Sequence, residues 1–134
     1  MPKKRKKLAQ TDSLYVARSS LGGRGVFAGK VFQKGDLVER CPYLRLEADD
    51  ADGLLLDYVF EDGEDTVVLP LGYGLLYNHD SPGNLEHYDD EVDEVFEYYA
   101  IRRVEQGEEL CLDYGEDWWD TRGLHPRRPS RPKR

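Results

Sequence analysis

The apolar residues of this chain come in short, β-prone runs, and a polar turn ends each run. The longest is Val95-Phe96-Glu97-Tyr98-Tyr99-Ala100-Ile101-Arg102-Arg103-Val104. Aromatic and β-branched side chains dominate it, and these suit a pleated, half-buried surface. Similar runs stand at 14–18, 26–28, 37–40, 43–46, 66–69, 85–88 and 109–114. Between them lie Ser19–Gly25 with three glycines, Gln33–Asp36, the acidic loop Glu47–Gly53, Glu61–Asp65, Asp89–Glu94 and Glu105–Glu108, all of turn composition. Leu54-Leu55-Leu56-Asp57-Tyr58-Val59-Phe60 reads as a buried strand or a short helical piece, because periodicity cannot arbitrate at that length. A chain patterned this way is expected to be mainly β, built of several small sheets with little helix. Its 134 residues allow one domain with a modest core.

The charge is sharply segregated. Lys3, Lys4, Arg5, Lys6 and Lys7 crowd one end, and Arg122, Arg127, Arg128, Arg131, Lys133 and Arg134 crowd the other. All 27 acidic residues lie between Asp12 and Asp120, so a formal net charge of −8 conceals a far more acidic middle. The expected organisation is a basic disordered arm over 1–12, a globular domain over 13–121 and a basic Pro/Arg-rich tail over 122–134. Pro2-Lys3-Lys4-Arg5-Lys6-Lys7 resembles a nuclear-localisation signal, and equally a nonspecific anion-binding tail. A nuclear location follows only for a eukaryotic host, and a cytoplasmic one otherwise. An acidic body attracts basic polypeptides and repels nucleic acid, so no specific nucleic-acid partner is expected. Simple solubility explains the same charge.

No apolar run approaches membrane-spanning length and no leader resembles a signal peptide, so a soluble, intracellular protein without a membrane partner is expected. Cys41 and Cys111 lack CxxC or Cys/His spacing. Both are expected in the core, with no metal site.

Near the centre, Leu71-Gly72-Tyr73-Gly74-Leu75-Leu76-Tyr77 ends abruptly in Asn78-His79-Asp80 and the turn Ser81-Pro82-Gly83-Asn84. At the edge of a core, Asn78 and His79 could read a polar ligand by hydrogen bonds. The plain alternative is an element ending in an Asx-type turn. Two further motifs bear on the choice: Gly23-Arg24-Gly25-Val26-Phe27, and Gly107-Glu108-Glu109-Leu110-Cys111-Leu112-Asp113-Tyr114-Gly115.

In order and spacing, the three motifs resemble the SET-domain lysine methyltransferases over about residues 13–119. Asp57-Tyr58-Val59-Phe60, Leu71-Gly72-Tyr73-Gly74 and the overall length look most like the compact viral SET proteins that methylate histone. The resemblance implies a SET-domain fold of several small β-sheets with a knot-like crossing, the Asn-His segment pinned beneath the C-terminal strand. It implies S-adenosylmethionine as methyl donor, a lysine ε-amine as acceptor, a basic substrate such as a histone tail, and a homodimer. General topology rules make such threading rare, so nothing but the resemblance supplies it.

The resemblance also assigns roles. Gly23 and Gly25 would let the donor approach the backbone and the turn take positive φ, and Arg24 would pair with the donor carboxylate or simply be solvated. Asn78 would meet the amino-acid end of the donor, and the His79 backbone its adenine edge. Asp80 stands where the family commonly has Ser, and Gly83 separates the family's Pro-Asn pair. Tyr114 would hold the methylsulfonium in line with the amine, and Tyr58 would orient that amine. Tyr73 and Leu112 would line the lysine channel. Trp118 or Trp119 would cover the adenine or the channel mouth, or both would fix the C-terminal turn. The competing readings are a catalytically impaired SET-like module that binds peptide or donor, and a charge-driven scaffold.

Overall fold

The computed structural model describes residues 9–114. The rest of the basic arm, the expected helical turn at 116–121, Trp118, Trp119 and the basic tail lie outside the described residues. Ten strands follow in chain order: β1 (Ala9–Gln10), β2 (Leu14–Arg18), β3 (Arg24–Ala28), β4 (Leu37–Glu47), β5 (Phe60–Glu61), β6 (Thr66–Pro70), β7 (Asn78–His79), β8 (Leu85–Asp90), β9 (Val95–Ala100) and β10 (Glu109–Leu112). Two short 3₁₀ turns, Ala48–Asp50 and Gly53–Asp57, are the helical content of the described residues. The mainly β expectation stands. Within the segment read as arm, Ala9 and Gln10 pair with Val16 and Tyr15.

The strands run in the order β1-β2-β3-β10-β8-β9-β4-β6-β5, with β7 also paired to β10. Local hairpins build most of this, as the turn composition implied: β2 with β3, β5 with β6 and β8 with β9. Two strands serve as hinges between groups. β4 pairs β9 through Pro42 and β6 from Tyr43 onward.

That change of partner explains a difference from the sequence reading, which expected two separate strands at 37–40 and 43–46. They are one, because Pro42, which has no N–H to give a ladder, falls where β4 leaves one neighbour for the next. Its carbonyl still accepts the Leu71 N–H at 2.9 Å. The 54–60 stretch takes the short helical alternative, a 3₁₀ turn over Gly53–Asp57, with Leu54 and Leu56 58% and 41% exposed and Val59 buried.

The main core gathers Leu14, Val26, Phe32, Cys41, Tyr77, Leu85, Phe96, Tyr98, Leu110 and Leu112. Cys41 and Cys111 are free thiols and buried, as expected. Burial and neighbouring Glu39 push the Cys41 thiol far up, so it packs as a small neutral group.

β10 is the second hinge. It lies antiparallel to β3 and parallel to both β7 and β8. The 80–84 loop would leave the β10 backbone unsatisfied on that side without Asn84. The buried Asn84 amide donates to the Glu109 carbonyl at 2.8 Å and accepts the Cys111 N–H at 2.8 Å, while its own N–H reaches the Cys111 carbonyl at 3.0 Å. Gly83, at φ 70°, sits against the Cys111 carbonyl and Asp113 N–H, where a Cβ would come within 3.0 and 3.1 Å. The inserted glycine therefore lets Asn84 arrive at β10 despite the altered spacing. Asn84→Ala is expected to destabilise the fold by about 2–3 kcal/mol, since it orphans a buried N–H and a carbonyl. Urea unfolding monitored by tryptophan fluorescence measures it.

Candidate active site

The parallel contact of β7 with β10 sets Asn78 beside Cys111 and His79 beside Leu112. Asn78 and His79 are 1% and 2% exposed, so their polar atoms must be satisfied internally or by a ligand. The Asn78 amide nitrogen donates to the Arg24 carbonyl at 3.0 Å and to Glu109 Oε2 at 2.8 Å. Both amide hydrogens are thereby used, and Oδ1 remains the acceptor face of this side chain.

Glu109 is the hub here. Its other oxygen accepts the Ser19 hydroxyl at 2.6 Å, which ties the 19–23 turn to β10. Its carboxylate also fills the space above Gly25, where a Cβ would lie 2.2 Å from Oε2 and 3.0 Å from the Asn78 amide nitrogen. The bareness of Gly25 thus admits Glu109 and Asn78. Gly25 sits in β3 without positive φ, whereas Gly23 takes φ 63° and closes the turn through its carbonyl to the Ser19 N–H at 2.9 Å. Arg24 is exposed.

Tyr114 follows β10 and is fixed at two points. Its N–H donates to His79 Nδ1 at 3.0 Å, and its hydroxyl donates to the Tyr77 carbonyl at 2.6 Å. The two rings lie 5.1 Å apart. An Nδ1 that accepts carries no proton, so this side chain of His79 positions Tyr114. The sequence reading offered the His79 side chain for a polar ligand and its backbone for the donor, and did not foresee this bond to Tyr114. Burial, then the charges of Cys111, Tyr58 and Glu109, hold the Tyr114 phenol well above its ordinary pKa. Tyr114 therefore stays protonated at neutral pH, and its oxygen offers lone pairs rather than a base.

A second carboxylate supports the segment entering β7. Glu39 accepts the Tyr77 hydroxyl at 2.6 Å and the Tyr73 N–H at 3.1 Å. Tyr77 in turn packs on Tyr98 with centroids 4.9 Å apart. Phe60 stands edge-on to Tyr114 at 6.4 Å and contacts His87 and Phe96 at 5.8 and 5.9 Å. Tyr58, half-buried after the second 3₁₀ turn, is close enough for its charge to act on Tyr114. Tyr73 is half-buried against the main core, and Leu112 is inside it.

The structure thus brings Gly25, Asn78, His79, Tyr114 and Tyr58 into one neighbourhood. Glu109, Glu39, Phe60 and His87 join them, and no sequence motif marked those four for a role. A hollow of about 300 Å³ opens beside Glu109, bordered by Ser20, Leu21, Asp80, Asn84 and Arg102; Gly25, Asn78 and Tyr114 are not on its wall. A larger one, about 710 Å³, lies against the other face of β5, with Asp57, Glu61 and Glu64 at its rim and Val59 and Val67 at its base.

Asn78-His79 is thus pinned to β10, with Asp113-Tyr114 directly after it. The family model described as SET domain matches residues 23–115. The chain belongs to the SET-domain methyltransferase family.

Among its relatives, a fission-yeast (Schizosaccharomyces pombe) protein named histone-lysine N-methyltransferase, H3 lysine-37 specific, is 30% identical over 102 residues, covering 72% of this chain and 69% of its own. A crystal structure of a Plasmodium falciparum protein assigned as a histone methyltransferase superposes with a TM-score of 0.70 at 33% identity, over 82% of this chain and 99% of that one. The Chaetomium thermophilum polycomb repressive complex 2 shares the fold, with a TM-score of 0.63 at 21% identity over 78% of this chain and 15% of that one.

Tyr77 and Tyr98 are likewise held well above the ordinary value of 10.0, chiefly by burial. An acid whose folded pKa is raised stabilises the fold fully below its unfolded value and less as pH climbs past it. Stability is therefore expected to hold up to about pH 10 and to fall above it, as the unfolded chain ionises these phenols first. Absorbance titration near 295 nm should show exposed tyrosines ionising first, and these three only with unfolding.

Proposed function

We propose that the protein is a protein-lysine N-methyltransferase that uses S-adenosylmethionine and acts on a histone or another basic protein. The observation that carries this reading is the doubly anchored Tyr114. Its phenol is protonated, pinned through its hydrogen to the Tyr77 carbonyl, and leaves oxygen lone pairs beside His79 and Asn78.

The residues present fit such a donor. The Asn78 oxygen and the Glu109 carboxylate suit an ammonium, and the exposed Arg24 suits a carboxylate. The Tyr114 oxygen and the Tyr77 carbonyl would suit a methylsulfonium, offering its positive charge fixed oxygen dipoles. When bound, the donor supplies an electrophilic methyl group. What the chain supplies is alignment. Tyr114 is held rigid at its backbone and at its hydroxyl, so an amine entering past Phe60 and Tyr58 meets a fixed target. Leu112 offers no hydroxyl to restrain a methylated amine, which permits more than one transfer. Gly23 and the turn it closes would border the donor, and Trp118 would cover it from beyond the described residues. Tyr73 would border the lysine channel.

The substrate class follows from charge. The acidic rim of Asp57, Glu61 and Glu64 beside the β5 edge favours a lysine within a basic segment, with encounter weakened by salt. The names of the fission-yeast and Plasmodium relatives support a histone. By the resemblance to the compact viral SET proteins we infer a homodimer; in a eukaryotic host the basic arm would direct the protein to the nucleus.

Incubation with S-adenosylmethionine and core histones, read by mass spectrometry, is expected to add 14 Da increments to lysine. Tyr114→Phe removes the anchoring hydroxyl and is expected to cut the rate on the order of 100-fold or more. Donor binding with no transfer by the wild-type chain would favour the impaired module instead.

A further inference from the structure

The larger hollow, about 710 Å³, joins two kinds of surface. Buried Val59 and Val67 form its base with Leu56, which is 41% exposed. Asp57, Glu61 and Glu64 stand at its rim, the two glutamates exposed. No Lys or Arg stands between Arg45 and Arg102 in the chain, and Arg45 is already engaged by Asp62 and by Glu94 at 3.1 Å. Among the described residues, no ion pair joins Glu61 or Glu64 to a basic side chain. A macromolecular counterion for this rim has to come from elsewhere in the chain or from another molecule.

The chain carries a segment of matching chemistry. No Asp or Glu follows Asp120, and Pro126-Arg127-Arg128-Pro129-Ser130-Arg131-Pro132 sets a proline at every third position among arginines. Proline favours the extended polyproline II form, which turns once in three residues. In that form the three prolines share one edge and the arginines fall on the other two. Proline rings bring no N–H to leave unpaired on an apolar base. Guanidinium groups suit a carboxylate rim. The same prolines cannot donate to a ladder, so this segment would seat by its side chains and not as an added strand at β5.

Geometry favours this segment over the basic arm. β5 ends the strand order, and β1, which follows the arm, lies at its other end. Tyr114 stands edge-on to Phe60, with centroids 6.4 Å apart, and Phe60 lies in sequence between Val59 and Glu61 of the hollow. The tail is therefore tethered next to β5. Pro126 follows Tyr114 by 12 residues, a length that spans up to about 40 Å and suffices to round this edge strand. We propose that the hollow beside β5 is the docking site of the chain's own residues 126–132, which occupy the acidic rim until a basic substrate displaces them. The competition rests on the methyltransferase reading; the docking does not.

Exposed ion pairs are individually weak and are screened by salt. The tether offsets this, because it holds the segment near the rim at an effective concentration on the order of millimolar. Docking of this kind is partial and reversible, as a competitor of a basic substrate has to be. Each docked chain is withdrawn from those open to substrate, and apparent affinity falls with the open fraction.

The test uses the full chain with a nitroxide label on Ser130→Cys; Cys41 and Cys111 are buried, which directs the label to the tail. At low salt the amide signals of residues 56–67 are expected to broaden in NMR. They should recover in the triple variant Arg127→Ala, Arg128→Ala, Arg131→Ala, and in the rim variant Glu61→Gln, Glu64→Gln. Exchanging the charges, with Glu61→Lys and Glu64→Lys against Arg127→Glu and Arg128→Glu, should bring the broadening back. In turnover, the triple tail variant is expected to lower KM for core histones about 5-fold at low salt with kcat unchanged, and the gap should close at high salt. No broadening at 56–67, broadening that survives both neutralising variants, or broadening passed only from a labelled chain to an unlabelled one would overturn the docking and leave the methyltransferase reading intact. An unchanged KM would overturn the competition. A wild-type chain that transfers no methyl would overturn that reading and the competition with it, while the broadening still decides the docking.

Discussion

The parallel pairing of two residues, Asn78 and His79, with Cys111 and Leu112 governs everything around it. A pairing this short has little strength from its ladder alone. Side chains reinforce it on both flanks. Asn78 ties it to Arg24 and Glu109, His79 and Tyr77 tie it to Tyr114, and Asn84 closes the loop beyond. Each bond joins residues far apart in sequence, and each buried polar group involved would be costly if unpaired. The same bonds that hold the crossing together therefore aim the site. Fold stability and the geometry of Tyr114 are one property here rather than two.

Two carboxylates organise this arrangement from behind. Glu109 joins the glycine turn, β7 and β10. Glu39 joins β4 to the Tyr73–Tyr77 segment. Each places negative charge near buried phenols and so discourages their ionisation, which keeps the phenols as donors with fixed direction. A site that stabilises positive charge gains from neutral, oriented oxygen and nearby carboxylates.

Much of the fold could be read from the chain because its hairpins are local. Turn composition at 61–65 and 105–108 and the β-prone runs at 14–18 and 95–100 are short-range signals, and the structure follows them. The two runs at 37–40 and 43–46 prove to be one strand because Pro42 falls where β4 changes neighbours and no ladder needs its N–H. At 54–60 the helical alternative holds, but burial was not legible: Leu54 and Leu56 ride exposed on the 3₁₀ turn while Leu55 and Val59 pack inward. Asn78, His79 and Tyr114 were legible through motifs. Glu109 lay inside a motif that marked only its turn, and Glu39 and His87 carried no local mark. Glu109 and Glu39 matter through contacts across 31 or more residues, such as Glu109 with Asn78 and Glu39 with Tyr73.

The central claim is that the 19–25 turn, the 76–84 segment and the 109–114 segment form one donor site around Tyr114. Hydrogen–deuterium exchange of the full chain with and without S-adenosylmethionine tests it directly. The account predicts slowed exchange in those three segments together and little change at the distal 61–66 hairpin. Protection confined to another surface, or none at saturating donor, would contradict it.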